Sequence, residues 1–346
     1  MPIIKVVSFN IEWMNDWFTN DGDIVAFREN FTREGHTSNT KETARRAADT
    51  IKEINPDILA IQEGPSRPEE LALFIQEYLS EHGTPIYKFI LNDSGQQQKT
   101  AVLYKPNAVD SLKLTPSTNI SNLIEEWMAD VDGDEHLEPY QFTRLPLVID
   151  AQIGGDYLQI IVLHTKSNFV NQGKDLWSNL ATRQEYVKAA LKNRRRNSAE
   201  SMRVRDYIDK VLLSNLAEKI IILGDLNDGP GMDYFEKNYL SHNTVDVLVG
   251  SAFEPEMMFH HAQHDVKNSN RYSAVFDDFV TGEDNKHILL DHILLSPGLS
   301  VTSGLRRVPN SGAIHHVEYD NHTVNHGIFR ENRPSDHRPV SVILEY

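Results

Sequence analysis

The sequence predicts an α/β protein built in layers, on two observations. Near the N-terminus a strand-like run, a helix-like stretch, a second apolar run and a second helix-like stretch follow in turn. That is the alternation expected of helices packed on a sheet. Across the whole chain, six apolar runs place Asn, Asp, Glu or His at or near an end. They include Ser8-Phe9-Asn10-Ile11-Glu12, Ile58-Leu59-Ala60-Ile61-Gln62-Glu63 and Ile160-Ile161-Val162-Leu163-His164. The others are Ile220-Ile221-Ile222-Leu223-Gly224-Asp225, the stretch His287 to Leu295 around Asp291, and Ser335-Asp336-His337 ahead of Val340. One polar site carried on a sheet scaffold is the arrangement these runs imply.

The elements follow in order. Residues 4–11 read as a strand and residues 19–39 as a polar loop. An amphipathic helix is expected over 41–55, because Ala44, Ala47, Ala48, Ile51 and Ile54 recur at helical spacing and Pro56 stops it. Residues 57–61 are short and apolar, as a buried strand is. A second helix follows Pro68, with Leu71, Phe74, Ile75, Tyr78 and Leu79 inward and Gly83 closing it. Strands at 87–91 and 101–104 flank the turn-rich Asn92-Asp93-Ser94-Gly95, and the acidic stretch 125–138 reads as a solvated insertion. Residues 145–153 and 157–163 alternate around Gly154-Gly155, a β-hairpin signature. A long helix with a basic middle is expected over 179–213, then a strand at 220–223 and a short helix near 232–238. A His-rich, poorly periodic region runs to about residue 286, and strands at 289–294 and 340–344 close the chain.

Chemistry-bearing residues come from both ends, and no repeat or linker divides the chain. A single domain over 1–346 is therefore expected, with insertions near 107–140 and 240–286. Apolar residues make up 40% and charged residues 24%, enough to bury a large core. No run approaches the length of a membrane span, so stable membrane association is not expected, and nothing indicates a protein partner. The start lacks a signal-peptide pattern, which places the chain in the cytoplasm if it is native from Met1. Had a signal peptide been removed, it would be secreted or periplasmic. The absence of cysteine removes thiolate nucleophiles and Cys-type zinc sites. A formal charge of −16 argues against broad adsorption to nucleic acid, though not against an enzyme gripping phosphate through cations.

Asn10, Glu12, Glu63, Asp225, Asn227 and Asp336 form a set of hard oxygen donors. Such a set suits Mg²⁺ or Mn²⁺, with Ca²⁺ as an alternative, better than zinc. Glu63, where a strand runs out, is the first choice for direct ligation. Asp291 in an apolar strand requires a partner, and pairing with His337 would fix the imidazole tautomer and raise its pKa. His164 at a strand end could bond a phosphate oxygen or protonate a leaving group. Asp225 could orient a water while Asn227 stabilises charge in the transition state. Gly224 would permit close approach, and Arg144 could grip phosphate bidentately.

The ordered set Asn10, Gln62-Glu63, Arg144-x-Pro146, His164, Gly224-Asp225-x-Asn227, Asp291 and Ser335-Asp336-His337 resembles the endonuclease/exonuclease/phosphatase superfamily. The resemblance spans nearly the whole chain. It implies a four-layer α/β sandwich, two mostly antiparallel sheets face to face with helices outside. It also implies a divalent-metal-dependent phosphoesterase in which water attacks phosphorus in line. By position, Glu63 is the principal metal ligand, with Asn10 and Asp336 close by and Glu12 where some members place a second acid. Asp225 matches the water-orienting acid, Asn227 the transition-state donor and His337–Asp291 the dyad; members differ over whether Asp or His takes the proton. His164 matches the deoxyribonuclease and sphingomyelinase pattern. Leu223 and Asp291-His292 depart from the inositol phosphatases, which disfavours that substrate. DNA or RNA is the expected substrate, with a phospholipid or small phosphate ester as the alternative.

Other signals read as ordinary surface. Lys192, Arg194, Arg195, Arg196, Arg203, Arg205 and Lys210 suggest a solvated helix face, or else a nucleic-acid track. Trp13 and Trp17 suit packing, with base stacking the alternative. Asp130 to Asp134 is a poor calcium loop, and His260, His261, His264, His322 and His326 read as exposed loop histidines. Sphingomyelinase action would want an exposed apolar hairpin, and none stands out in the sequence.

Overall fold

Period-two apolar runs become the strands of two facing sheets. The computed structural model describes every residue except 20, 21, 23, 34 and 96. One sheet runs Arg306–Arg307, Val340–Glu345, Ile3–Asn10, Ile58–Gly64, Lys99–Tyr104, Lys88–Leu91, with Ala313–Ile314 also on Val340–Glu345. The other runs His260–His261, Asp291–Leu295, Ile220–Asp225, Asp156–His164, Leu147–Ile153, Ser111–Leu114. Each sheet holds one parallel pair among antiparallel neighbours: Ile3–Asn10 with Ile58–Gly64, and Asp156–His164 with Ile220–Asp225.

Because successive strand residues face opposite ways, each strand feeds two cores. Ile4, Val6, Ile58 and Ala60 meet Ile149, Ile160, Val162, Ile221 and Ile293 between the sheets. On the outer face of the first sheet, Val7, Phe9, Leu59 and Ile61 pack with Ala44, Ala48 and Ile51 of the helix Thr40–Ile54. Phe74 of the helix Pro68–Tyr78 joins the same cluster. Val148, Ile161 and Ile222 do likewise under Val204, Ile208 and Leu212 of the helix Arg183–Ser214. Each buried aliphatic side chain contributes roughly 1.5–3 kcal/mol, so both faces of both sheets stabilise the stack. The layer order is helix, sheet, sheet, helix, the sandwich that the resemblance implied.

Several local expectations need correction. The helix after Pro68 ends at Tyr78, and Gly83 (φ 80°) instead sits in the turn of a small hairpin, Ser80–Glu81 with Thr84–Pro85. The loop over 19–39 contains a hairpin, Asn30–Arg33 with His36–Asn39; residues 20, 21, 23 and 34 lie outside the described residues. The acidic stretch carries another, Trp127–Ala129 with Glu138–Tyr140. Asp130 there accepts from the backbone N–H groups of Gly133 and Glu135, as a turn residue does. The short helix expected near 232–238 forms slightly later, with residues 234–235 helical and running into the wide π turn Glu236–Leu240. The aperiodic region yields the hairpin Ala274–Asp278 with Glu283–Ile288, and Asp291 opens the next strand, not its middle.

His261 is buried, not an exposed loop residue. His292 Nε2 lies 2.8 Å from the Asp228 carbonyl and must donate to it, so its Nδ1 accepts from His261 Nε2 at 2.7 Å. Burial disfavours a charge on either ring, so both are held neutral. Burial pushes His292 from its ordinary 6.5 down to about 4. The unfolded chain therefore takes up a proton at a pH where the folded one does not. This contribution is fully present above pH 6.5 and is lost as pH falls toward 4, up to roughly 3 kcal/mol. Urea midpoints at pH 7 and pH 4.5 should fall more steeply for the native chain than for His292→Asn, which will be less stable at pH 7. Equal slopes would contradict this wiring.

Candidate active site

Strand register assembles one wall of the site. His164 pairs with Asp225 across the parallel pair, and Asp225 pairs with Asp291 across the antiparallel one. Paired residues share a face, so three polar side chains stand in a row at one end of the second sheet. The approach of these strands requires Gly224 (φ 141°), because a Cβ there would collide with the Leu163 carbonyl. The first sheet supplies the facing wall. Asn10 ends its strand opposite Gln62, and Glu63 follows at φ 56° where the ladder with Lys99–Tyr104 breaks register. A bulge of this kind re-aims a side chain.

Ser335 anchors the last piece. Its hydroxyl donates to the Asn10 carbonyl at 2.6 Å and accepts from the His337 N–H at 2.9 Å. The turn before the C-terminal strand is thereby tied to the end of the first strand, which brings His337 to Asp291. Nδ1 of His337 lies 2.6 Å from Asp291 Oδ2, and Nε2 faces Asp336 at 3.7 Å and Asp225 at 4.0 Å.

The remaining contacts join both walls. Asn10 Nδ2 donates to Asp225 Oδ2 at 2.9 Å and to Glu63 Oε1 at 3.3 Å. His164 Nε2 lies 3.7 Å from Asp225 Oδ2 and 3.8 Å from Glu63 Oε1. Asn227, at φ 50°, donates its backbone N–H to Asp225 Oδ1 and its amide to the Thr165 carbonyl. Arg144 donates to Thr165 O and Gln98 Oε1, and Gln98 in turn donates to Glu63 Oε2. Asn10, Glu63, His164, Asp225, Asn227, Asp291, Asp336 and His337 thus converge, with Arg144 one residue behind Glu63.

Glu12 stands beside Asp336, its carboxylate taken up by arginines. Arg33 and Arg330 hold it at 3.1 and 2.7 Å, and Arg330 also reaches Asp336 at 3.2 Å. Neither Arg33 nor Arg330 was legible as a partner, although Arg330-Glu331-Asn332-Arg333 just ahead of Pro334-Ser335 was a basic signal that could have been weighed. Gln98 had no signal. Trp17 is core, whereas Trp13 is 49% exposed, its backbone N–H donated to Glu63 Oε2. Part of the basic helix face is neutralised in place: Lys192, Arg194, Arg205 and Lys210 each meet an aspartate, while Arg203 lies over Trp127.

Electrostatics follow from burial and crowding. Burial works against charge on His337, but Asp291, Asp336 and Asp225 outweigh it and hold the imidazole well above its usual pKa. Burial pushes Asp225 up to about 7; His337 pulls the other way, and Asp291 adds to the rise. Burial, helped by the Arg144 and His337 charges, pushes His164 well down, so that ring is neutral. Burial resists ionisation of Asp336, yet His337 and Arg330 keep its carboxyl below the usual range. Burial and then Asp336 raise Glu12 to about 7 against its two arginines.

The sequence profile of the Endonuclease/Exonuclease/phosphatase family matches residues 7–337. The chain belongs to that family. Its members are hydrolases of phosphoester bonds that depend on a divalent metal. Truncated TDP2 from Caenorhabditis elegans is similar in structure, at TM-score 0.51 and 15% identity over 99% of this chain and 98% of that one. TDP2 from D. rerio, complexed with a single-strand DNA product, gives 0.50 and 11% over 99% of each chain. A mannosyl-6-phosphatase of Bacteroides thetaiotaomicron gives 0.46 and 13% over 99% and 100%. No curated protein matches the chain. The donors present fit the family's divalent cation: Asn10 Oδ1 is buried with no protein donor, beside the Glu63 carboxylate. Asp225, Asp291 and His337 also place their ligand atoms within 4.8 Å of one another.

Proposed function

We propose that this family member is a Mg²⁺- or Mn²⁺-dependent phosphodiesterase that cleaves DNA or RNA. The observation carrying the reading is the meeting of Glu63, Asp225 and the Asp291–His337 pair at one end of both sheets. Glu63 and the free Asn10 oxygen would hold the cation, with Asp336 beside them; Glu12, engaged by two arginines, would not. A bound divalent cation supplies charge neutralisation at the phosphate oxygens. Asp225 has a pKa suited to accepting a proton from the attacking water near neutral pH. His337, kept cationic by three carboxylates, offers its Nε2–H to a phosphate oxygen. Neutral His164 offers a second N–H, and Asn227 and Asp291 hold Asp225 and His337 in place.

The exposed Trp13 ring supports a nucleic-acid substrate, because its backbone is anchored to Glu63 and a base could stack on it. A phospholipid ester is favoured by a different observation. Phe276 and Phe279 are exposed on the 274–288 hairpin, and Phe169, 74% exposed, neighbours the Asn168 that donates to the Asn227 carbonyl. Purified protein with Mg²⁺, Mn²⁺ or EDTA, offered single-stranded DNA, plasmid, RNA and sphingomyelin vesicles, separates the two. Nucleic acid should be cleaved only with metal, and Trp13→Ala should raise KM for single-stranded DNA about ten-fold with kcat little changed. Cleavage of vesicles alone would sink the nuclease reading.

A further inference from the structure

A cavity of about 220 Å³ opens beside the site and shares Asp336 with it. Three guanidinium groups line it: Arg330, Arg333 and Arg338. On a chain of net charge −16, such a concentration requires an explanation. Their counter-charges are incomplete. Arg330 reaches Glu12 and Asp336 through Nη2, but its buried Nη1 meets no protein acceptor. Arg338 is only 9% exposed and pairs with Asp320 through Nη2 at 3.3 Å, while its Nε also meets none. Arg333 donates Nε to the Ile328 carbonyl and has no carboxylate partner among the described residues. A buried N–H without an acceptor costs about 1–3 kcal/mol, a cost that a small turn of either guanidinium toward a bound anion would lower. Tyr272 and His287 make a flat wall, their rings stacked 3.8 Å apart at 18°.

We propose that this cavity is a second anion subsite, taking a phosphate of the substrate other than the one hydrolysed. The guanidinium fork matches phosphate oxygens, and the shared Asp336 places the subsite next to the reacting group. The inference rests on the phosphodiesterase reading and narrows it to substrates carrying at least two phosphates. The next phosphate of a nucleic-acid strand and the second phosphate of a small bisphosphate share that chemistry. Asp320 and the rings of Tyr272 and Tyr319, over which Arg338 lies at 5.4 Å, fix Arg338 in the cavity wall. Arg333, less tied, is the residue to alter.

Calorimetric binding in Mg²⁺ of thymidine 3′,5′-bisphosphate and thymidine 5′-monophosphate to the whole chain tests this. The bisphosphate should bind about ten-fold more tightly, the worth of one charge-assisted contact. In Arg333→Ala that ratio should fall to about two or less, and Arg333→Lys should restore part of it, which a folding defect would not. Arms with the dinucleotide d(pTpT) and with glucose 1,6-bisphosphate tell a strand from a small molecule. No preference in the native protein, or an unchanged ratio in Arg333→Ala, overturns the subsite. Hydrolysis of bis-p-nitrophenyl phosphate is scored separately. A bisphosphate preference without hydrolysis keeps the subsite and sinks the enzymatic reading, and hydrolysis without preference does the reverse.

Discussion

Replacing Asp225 by asparagine is expected to lower kcat by about 10³-fold while the protein stays folded. The side chain is buried, and its two oxygens accept from Asn10 Nδ2 and from the Asn227 backbone N–H. An amide of the same size can keep one of these bonds, but it cannot take a proton. The pH profile provides a second signature. Since burial raises Asp225 to about 7, the carboxylate fraction grows as pH rises through neutrality, and kcat/KM of the native enzyme should rise with it. The variant's residual activity should lack that limb. Steady-state kinetics on bis-p-nitrophenyl phosphate from pH 5.5 to 9 would show both effects. An unchanged kcat would remove Asp225 from the chemistry.

Glu63→Gln should have the next largest effect, and through a different quantity. Loss of a hydrogen-bond partner behind a metal ligand costs about 10–100-fold in affinity. Loss of the ligating carboxylate itself should reach at least the upper end of that range. Half-maximal activation by Mn²⁺ should therefore move up about 10²-fold or more, with a parallel loss in calorimetric Mn²⁺ affinity. Trp13 and Gln98 donate to one carboxylate oxygen and Asn10 to the other, so an amide with its oxygen turned toward Trp13 and Gln98 keeps two of the three bonds, and gross unfolding is not expected. Native-like metal activation in Glu63→Gln would move the cation elsewhere.

The legible part of the site is the part carried by strand ends. Asn10, His164 and Asp225 stop apolar runs whose period and length announce strands, Asp291 opens another, and register then sets them side by side. His337 was legible through its neighbours in Pro-Ser-Asp-His, and the structure adds the reason, a Ser335 hydroxyl that ties the turn to Asn10. What escaped is whatever depends on loops. The partners of Glu12 could not be read, because Arg33 and Arg330 lie 21 and 318 residues away on segments without periodicity. The 274–288 hairpin escaped because Asp277, Asp278, Glu283, Asp284 and Lys286 interrupt any apolar alternation. The basic helix left a nucleic-acid track open as an alternative because its aspartate partners come partly from distant turns, Asp132 and Asp233. Local sequence shows a charge but not what neutralises it across space.

On this reading two walls, one from each sheet, act on one phosphate as a unit. A double-mutant cycle on kcat with bis-p-nitrophenyl phosphate, combining Asp225→Asn with His337→Ala, measures that most directly. Groups that act together lose activity non-additively, so the double variant should be about as impaired as the worse single variant. Losses that multiply would mean that Asp225 and His337 serve separate events, and the shared site would be wrong.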